Sequence, residues 1–123
     1  MHNDFGFDGI DRHFTSYSGR TYSSLVVNDA VTNTGNKEVG WGSTSNSLTG
    51  KIVHKDEDSL VVTVQDQGYI EVDYAGTTPA VNDRVAVDGA GNVITTAVGF
   101  TGGRPKIVDI STFATDGKVI VLL

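Results

Sequence analysis

The chain has 123 residues, a formal net charge of -6 and no cysteine. Its length predicts one domain with a single core, and the lack of cysteine excludes disulfides and thiolate metal sites. The 9 basic residues are scattered along the sequence, which argues against a nucleic-acid partner, and no apolar run is long enough to span a membrane. A content of 15 glycines and 2 prolines is typical of an all-β chain with many reversals.

The first 24 residues differ from the rest because they combine polar and aromatic residues with almost no aliphatic ones. Half of the chain's aromatic residues (5 Phe, 4 Tyr and 1 Trp in all) lie here, namely Phe5, Phe7, Phe14, Tyr17 and Tyr22. Such a segment cannot form its own core, so we predict an extended N-terminal arm over residues 1–24. We expect it to pack on its own barrel, on a sister subunit or on a partner. The alternative is an ordinary strand or loop folded over the barrel.

Residues 25–123 are predicted to form a single small β-barrel or sandwich of about eight short antiparallel strands. The strands expected in chain order cover 24–31, 38–42, 48–54, 59–65, 69–74, 84–88, 93–96, 105–110 and 118–123. Alternation places Ile70, Val72 and Tyr74 on one face of their strand. The same alternation places Leu60, Val62 and Val64 on one face of the preceding strand. No window predicts a long helix.

A hairpin is the clearest local signal in the second half of the chain. Val85 and Val87 alternate with Arg84, Ala86 and Asp88, as in a half-buried strand. The run 88–92 (Asp-Gly-Ala-Gly-Asn) then supplies residues that tolerate a positive φ angle, and the β-branched residues from Val93 onward begin the return strand. A second hairpin is predicted to join 105–110 to 118–123.

The nearest approach to a catalytic cluster is the group His54, Asp56, Asp58 and Ser59. A serine nucleophile needs a base that is oriented by a buried carboxylate, whereas these acids lie in what the pattern indicates is an exposed turn. We therefore interpret the group as a solvated turn and predict no catalytic residue and no enzymatic activity.

No metal or cofactor site is predicted from the sequence. His2, His13 and His54 lack the spacing of metal ligands. Asp83, Asp88 and Asn92 can be interpreted as a cation site near a hairpin tip, but turn-forming side chains are the commoner explanation. The glycine-rich run 99–104 lacks the Lys-Ser/Thr ending of a phosphate loop and is interpreted as a connection between hairpins.

The N-terminal arm remains the unusual feature of the sequence. We interpret it as an interaction arm whose aromatic side chains anchor in pockets of a partner, with polar contacts from Arg12 and Arg20. Tyr, Phe and Arg are enriched at interface hot spots, and Trp41 stands between two glycines as a core or interface tryptophan or as a sugar-stacking platform. The predicted partner-binding residues are Phe5, Phe7, Ile10, Arg12, Phe14, Tyr17, Arg20, Tyr22 and Trp41.

The C-terminal half also resembles a known protein family. The run 82–96 (Asn-Asp-Arg-Val-Ala-Val-Asp-Gly-Ala-Gly-Asn-Val-Ile-Thr-Thr) is similar to the "GD-x-V-x-x-D-x-x-G-x-V-T" run of capsid cement proteins, the head decoration proteins of tailed bacteriophages. The runs 107–110 and 117–123 resemble that family's last two strands, and 51–72 is compatible with its preceding strands. Asn82 stands where the family usually has glycine, and the aromatic N-terminal segment is longer than in its short members.

The resemblance implies a structural virion protein on the capsid exterior, with the major capsid protein as its partner. It would bind as a homotrimer at local threefold positions, bridge neighbouring capsid subunits and stiffen the shell. The N-terminus lacks the basic and apolar stretches of a signal peptide, so we expect synthesis in the host cytoplasm without secretion. Two alternatives are a carbohydrate-binding or adhesin-like module that uses Trp41, Tyr69 and Tyr74, and a small hydrolase that uses His54 and Asp56.

Overall fold

The protein is all-β, as the sequence predicts, in a computed structural model that describes residues 12–95 and 104–123. Within those residues the chain forms ten strands and one short helix, where about eight strands are predicted. In chain order they are β1 (His13–Gly19), β2 (Ala30–Gly35), β3 (Glu38–Gly40), β4 (Gly50–Lys55), β5 (Val61–Gln67), β6 (Tyr69–Asp73), β7 (Val85–Val87), β8 (Val93–Thr95), β9 (Lys106–Asp109), α1 (Phe113–Asp116) and β10 (Lys118–Leu122).

The first five strands close into a barrel in the order β1-β3-β2-β4-β5. Most neighbours are antiparallel, but β1 runs parallel to β3, with Ser18 opposite Glu38 and Gly19 opposite Val39. On its other side β1 is antiparallel to β5, and the register runs from His13 to Ser18 with one bulge. The barrel therefore contains one parallel pair that the prediction of antiparallel strands omits.

The position of β1 corrects the predicted boundary between an arm and a barrel at residue 24. His13–Gly19 is a barrel strand with hydrogen-bonded neighbours on both edges, so this part of the segment is not an extended arm. Thr15 and Tyr17 alternate with the exposed Phe14, and Tyr17 packs against the barrel core. Residues 1–11, with Phe5, Phe7 and Ile10, lie outside the described residues.

The barrel has a compact aliphatic core. Its fully buried members are Leu25, Val31, Val39, Ile52, Val62 and Val64. Three aromatic side chains cover this core from the side, namely Tyr17, Tyr22 and Trp41. Leu60, predicted on the same face as the valines of β5, instead stands exposed just before that strand begins. Strand pairing determines which side chains point inward. Leu60 precedes the paired residues of β5, so it does not follow their alternation.

The second half of the chain builds a separate core between two small sheets. One sheet has the order β6-β10-β9 and the other pairs β7 with β8. The predicted alternation of β6 is confirmed, because Ile70, Val72 and Tyr74 are all buried. The Tyr74 ring meets Phe113 of α1 edge to face, with 5.7 Å between centroids. The prediction for β7 is wrong, since Ala86 is buried together with its two valine neighbours.

Strand β2 joins the two cores. Ala30 belongs to the second core, whereas the next residue, Val31, belongs to the barrel core. The Ala30 N–H donates to the Gly91 carbonyl of the β7–β8 hairpin. On the outer face of the barrel, Lys51 Nζ donates to the Glu71 carbonyl of β6 at 3.1 Å. Burial lowers the pKa of Lys51, which fits its position between the two halves.

The strand predicted at 24–31 begins later than expected. Asn28 has a φ of 83°, and the Asp29 carboxylate accepts a hydrogen bond from the Val26 N–H at 3.0 Å. This local side-chain bond competes with strand pairing, so the segment loops outward and β2 starts at Ala30. As a result Val26 and Val27 are exposed at one end of the barrel.

Candidate binding surfaces

The described members of the predicted partner-binding set do not share one surface. Arg12 and Phe14 lie at the start of β1, where the guanidinium is 5.8 Å from the ring centroid. Tyr17 points toward the barrel core. Arg20 and Tyr22 follow β1, but they line two different depressions, and Trp41 lies in the first of these with Arg20.

The first surface, here called the barrel-end groove, is lined by Tyr22, Val26, Val27, Lys55 and Glu57 and has a volume of about 430 Å³. Val26 is 55% exposed and Val27 is 45% exposed. Both valines come from the outward loop before β2, so the apolar character of the groove follows directly from the local bond to Asp29.

Lys55 and Tyr22 form the polar wall of the barrel-end groove. Lys55 Nζ lies 4.4 Å from the centroid of the Tyr22 ring and donates to the Leu25 carbonyl at 2.9 Å. The Tyr22 hydroxyl is buried and has no hydrogen-bond partner within 12–95 or 104–123. Burial, followed by the negative charges of residues 56–58, raises the pKa of Tyr22, so the hydroxyl keeps its proton and can donate.

Leu60 extends the apolar surface at the same end of the barrel. Its carbonyl accepts from the Gly19 N–H at 2.9 Å, and a side chain at Gly19 would come within 3.5 Å of the Tyr22 ring. Leu60 is 61% exposed. Single exposed apolar residues are ordinary, whereas several at one end of a small domain are typical of a binding surface.

The second surface, here called the Trp41 cleft, has a volume of about 480 Å³ and lies between the two halves of the chain. Its walls come from the end of β1, the β2–β3 hairpin, the segment that follows β3 and the tip of the β7–β8 hairpin. The lining residues are Arg20, Thr21, Asn33, Thr34, Gly40, Trp41, Gly42, Ser43, Asn46 and Gly89.

Trp41 is held firmly in this cleft. Its indole Nε1–H donates to Asp29 Oδ2 at 2.8 Å, and the ring packs against the barrel core while remaining half-buried. A side chain at Gly91 would come within 2.8 Å of Asp29 Oδ1 and 3.3 Å of the indole nitrogen. The glycine therefore lets the hairpin approach the Asp29–Trp41 pair. Of the other proposed stacking residues, Tyr74 is buried in the second core and offers no free face.

The candidate catalytic group does not form a triad. His54 is exposed on β4, and no hydrogen bond within the described ranges joins it to Asp56. Asp56 Oδ1 instead accepts from the Asp58 backbone N–H at 2.9 Å, which is the turn geometry expected from the sequence. A base without an orienting carboxylate lacks the arrangement that activates a serine.

The candidate cation ligands near the hairpin tip also serve turns. Asp88 Oδ1 accepts from the N–H groups of Ala90 and Asn92, and Asp83 Oδ2 accepts from the Ala80 N–H. The turn interpretation of these side chains is confirmed. Across residues 12–95 and 104–123 no group of three or more His, Asp or Glu side chains is placed to hold a metal ion. No helix in those ranges is long and apolar enough to cross a membrane.

Comparison with known proteins identifies no relative on which a function can be based. No protein-family model matches the chain, and no curated protein matches it significantly. What the protein binds is therefore inferred from its two surfaces and from the resemblance of the run 82–96.

Proposed function

We propose that the protein is a non-enzymatic structural protein that binds the outer surface of a bacteriophage capsid and bridges subunits of the major capsid protein. The barrel-end groove carries this proposal, because its exposed Val26 and Val27, with the exposed Leu60 at the same end of the barrel, form an apolar surface that a bound protein would remove from water. The resemblance of the run 82–96 to capsid cement proteins supplies the identity of the partner.

The composition of the groove suits a protein partner. Two exposed valines line it together with the charged side chains of Lys55 and Glu57, and protein interfaces combine apolar and charged groups in this way. A patch this small gives weak binding on its own.

Weak binding is sufficient on a capsid because the lattice presents many equivalent sites. If the protein assembles as a homotrimer at a local threefold position, each trimer engages several groove contacts at once, and effective concentration raises the overall affinity. Phe5, Phe7 and Ile10, which precede β1 in the sequence, would then add apolar contact area.

The test is co-sedimentation of the purified protein with mature phage heads from which this protein has been stripped. We expect saturable binding near three copies for each local threefold position. Binding that fails to saturate, or none at all, would overturn the proposed function.

A matched pair of variants tests the role of the groove. The double variant Val26→Ser, Val27→Ser should weaken capsid binding at least tenfold, since it removes the exposed apolar surface without touching a core residue. Val81→Ser is the control, because Val81 is 50% exposed in the second half of the chain, outside the groove. Equal loss in both variants would show that the groove is not the contact.

A further inference from the structure

We propose that the Trp41 cleft binds an acidic saccharide, specifically a sugar unit that carries a carboxylate, such as a hexuronate. The cleft shares no lining residue with the barrel-end groove, so binding in the cleft does not depend on the proposed capsid contact. The volume of about 480 Å³ falls in the range of small-molecule sites, and the cleft lies where the two halves of the chain meet.

The indole ring supplies the apolar part of the site. Trp41 is the chain's single tryptophan, and its ring orientation is fixed by the bond from Nε1 to Asp29 Oδ2 at 2.8 Å. Because the nitrogen is already paired inside the protein, the exposed part of the ring offers an apolar, electron-rich surface instead of a hydrogen-bond donor. Such a surface attracts the C–H groups on one side of a sugar ring.

Two asparagines in the lining are oriented as hydrogen-bond donors. Asn46 Oδ1 accepts from the Ser43 backbone N–H at 2.8 Å, and Asn33 Oδ1 accepts from the Thr49 hydroxyl at 2.9 Å. A backbone N–H can only donate, so the oxygen of Asn46 must face Ser43 and its Nδ2 group is left for a ligand. Within the described ranges, neither Nδ2 group has a partner.

The charge of the cleft selects an anionic ligand. Arg20 is the charged residue of the lining, and none of the ten described lining residues is acidic, although the whole chain has a net charge of -6. The Arg20 guanidinium makes no hydrogen bond or ion pair within 12–95 or 104–123. A planar guanidinium with free donors fits a carboxylate through two parallel hydrogen bonds. The combination of one arginine, two amide donors and an aromatic surface matches a sugar acid.

The backbone keeps the cleft open without a ligand. Gly42 has a φ of 69°, and a side chain there would collide with Thr32 and come within 2.8 Å of Asn46 Oδ1. Gly89 at the hairpin tip has a φ of 90°, a conformation that residues with a side chain rarely adopt. The two glycines therefore allow the backbone turns that line the cleft, which is formed without a ligand.

The test is a titration of the full chain with an oligogalacturonide, followed by the intrinsic fluorescence of Trp41. We expect a saturable change in emission with a dissociation constant on the order of 1 mM. A neutral galactose oligosaccharide of equal length should bind at least tenfold more weakly, and sodium acetate should not bind. Absence of a fluorescence change and of calorimetric heat up to about 10 mM oligogalacturonide would overturn the proposal. Equal binding of the neutral sugar or of acetate would do so too.

Two substitutions test whether the ligand binds in the cleft. Arg20→Gln should weaken oligogalacturonide binding at least tenfold and remove the preference over the neutral sugar. Arg12→Gln is the control, because it causes the same change in net charge at the opposite end of β1. Asn33→Asp keeps the oxygen that accepts from Thr49 but replaces the amide donor with a negative charge, so it should also weaken binding about tenfold. Unchanged affinity in Arg20→Gln and Asn33→Asp would contradict the assignment.

Discussion

Gly50 of β4 lies where the neighbouring strand β5 leaves no room for a side chain. A side chain at this position would collide with the Gln65 carbonyl of β5 and come within 2.8 Å of Val64 Cγ1. Backbone atoms in the middle of a strand cannot move aside cheaply, so we expect Gly50→Ala to lower the free energy of unfolding by about 3 kcal/mol. Urea denaturation of the purified variant measures this loss.

Gly35→Ala is the matched control for that substitution. Gly35 also belongs to a barrel strand, but a side chain there would meet the end of the long Glu38 side chain, with 3.0 Å to Oε1, and not a backbone atom. We expect a change below about 0.5 kcal/mol, as for ordinary surface positions. Similar losses in the two variants would mean that general strand propensity, and not close approach at Gly50, determines the effect.

Asp109 contributes stability that depends on pH. Hydrogen bonds from the Ser111 side chain and then from the Ser111 backbone N–H, the latter at 2.6 Å, hold the pKa of Asp109 below its ordinary value of 3.8. The folded protein therefore binds this proton less readily than the unfolded chain does. The contribution is complete above the ordinary value and is lost as the pH falls through the lower pKa of the folded state.

The pKa of Asp109 can be measured by NMR titration of its carboxyl carbon. We expect a midpoint below 3.8 in the wild-type protein. In Ser111→Ala, where the hydrogen bond from the backbone remains, the midpoint should move part of the way back toward the ordinary value. A wild-type midpoint at or above 3.8 would contradict the hydrogen-bonding explanation.

Strand β1 is essential for closing the barrel, although its sequence is typical of a peripheral segment. It pairs with β5 along most of its length and with β3 at its end. We expect a shortened chain that begins at Arg12 to fold, and one that begins at Leu25 to be unfolded or aggregated, because loss of β1 exposes the edges of two strands. Amide NMR dispersion and thermal melting followed by circular dichroism distinguish these outcomes.

Two substitutions at one position separate strand pairing from the aromatic content of the segment. Ser16 faces outward in the middle of β1, opposite Thr63. Ser16→Pro keeps every aromatic side chain but removes a backbone donor and should destabilise the barrel by about 3 kcal/mol, whereas Ser16→Thr should be neutral. A native-like spectrum for the chain that begins at Leu25 would show that β1 is dispensable.

The strands that the sequence predicts well are those whose inward residues are aliphatic. The predicted ranges 69–74 and 118–123 each extend one residue beyond β6 and β10, because their alternating Val, Ile and Leu residues encode the buried face locally. For β1 the sequence favours an extended arm and leaves the observed strand as the alternative, because the inward side chains include Thr15 and Tyr17, and neighbouring strands, not local hydrophobicity, fix its conformation.

The two binding surfaces could be predicted only in part. The sequence singles out Trp41 by its glycine neighbours, but Arg20, Asn33 and Asn46 come from separate segments that no local pattern connects. The barrel-end groove exists because a bond to Asp29 turns Val26 outward, against the strand propensity of the valine. The bond to Asp29 is local but competes with a strong strand propensity, whereas closure of the barrel is a tertiary effect that joins distant segments.

At the scale of the whole molecule, the chain has two hydrophobic cores that share one strand and a set of backbone bonds. Adjacent residues of β2, Ala30 and Val31, point into different cores. The Val87 carbonyl of β7 accepts from the Ser45 N–H, and the Val87 N–H donates to the Asn46 carbonyl, so the second half cannot detach without leaving several groups unpaired. The sequence predicts a single core, whereas the structure has two cores in halves that remain bonded to each other.

The shared strand predicts that both halves unfold in one cooperative transition. Val31→Ala leaves a cavity in the barrel core and Val119→Ala leaves one in the second core, and each should lower the free energy of unfolding by about 2 kcal/mol. Trp41 fluorescence reports the barrel half, and hydrogen exchange at the Val121 amide reports the other half. Both probes should shift equally in each variant, while the exposed Val81→Ala should move neither. If Val119→Ala reduced protection at Val121 and left the Trp41 transition unchanged, the cores would be independent, and the contacts at Ala30 and Val87 would be too weak to couple them.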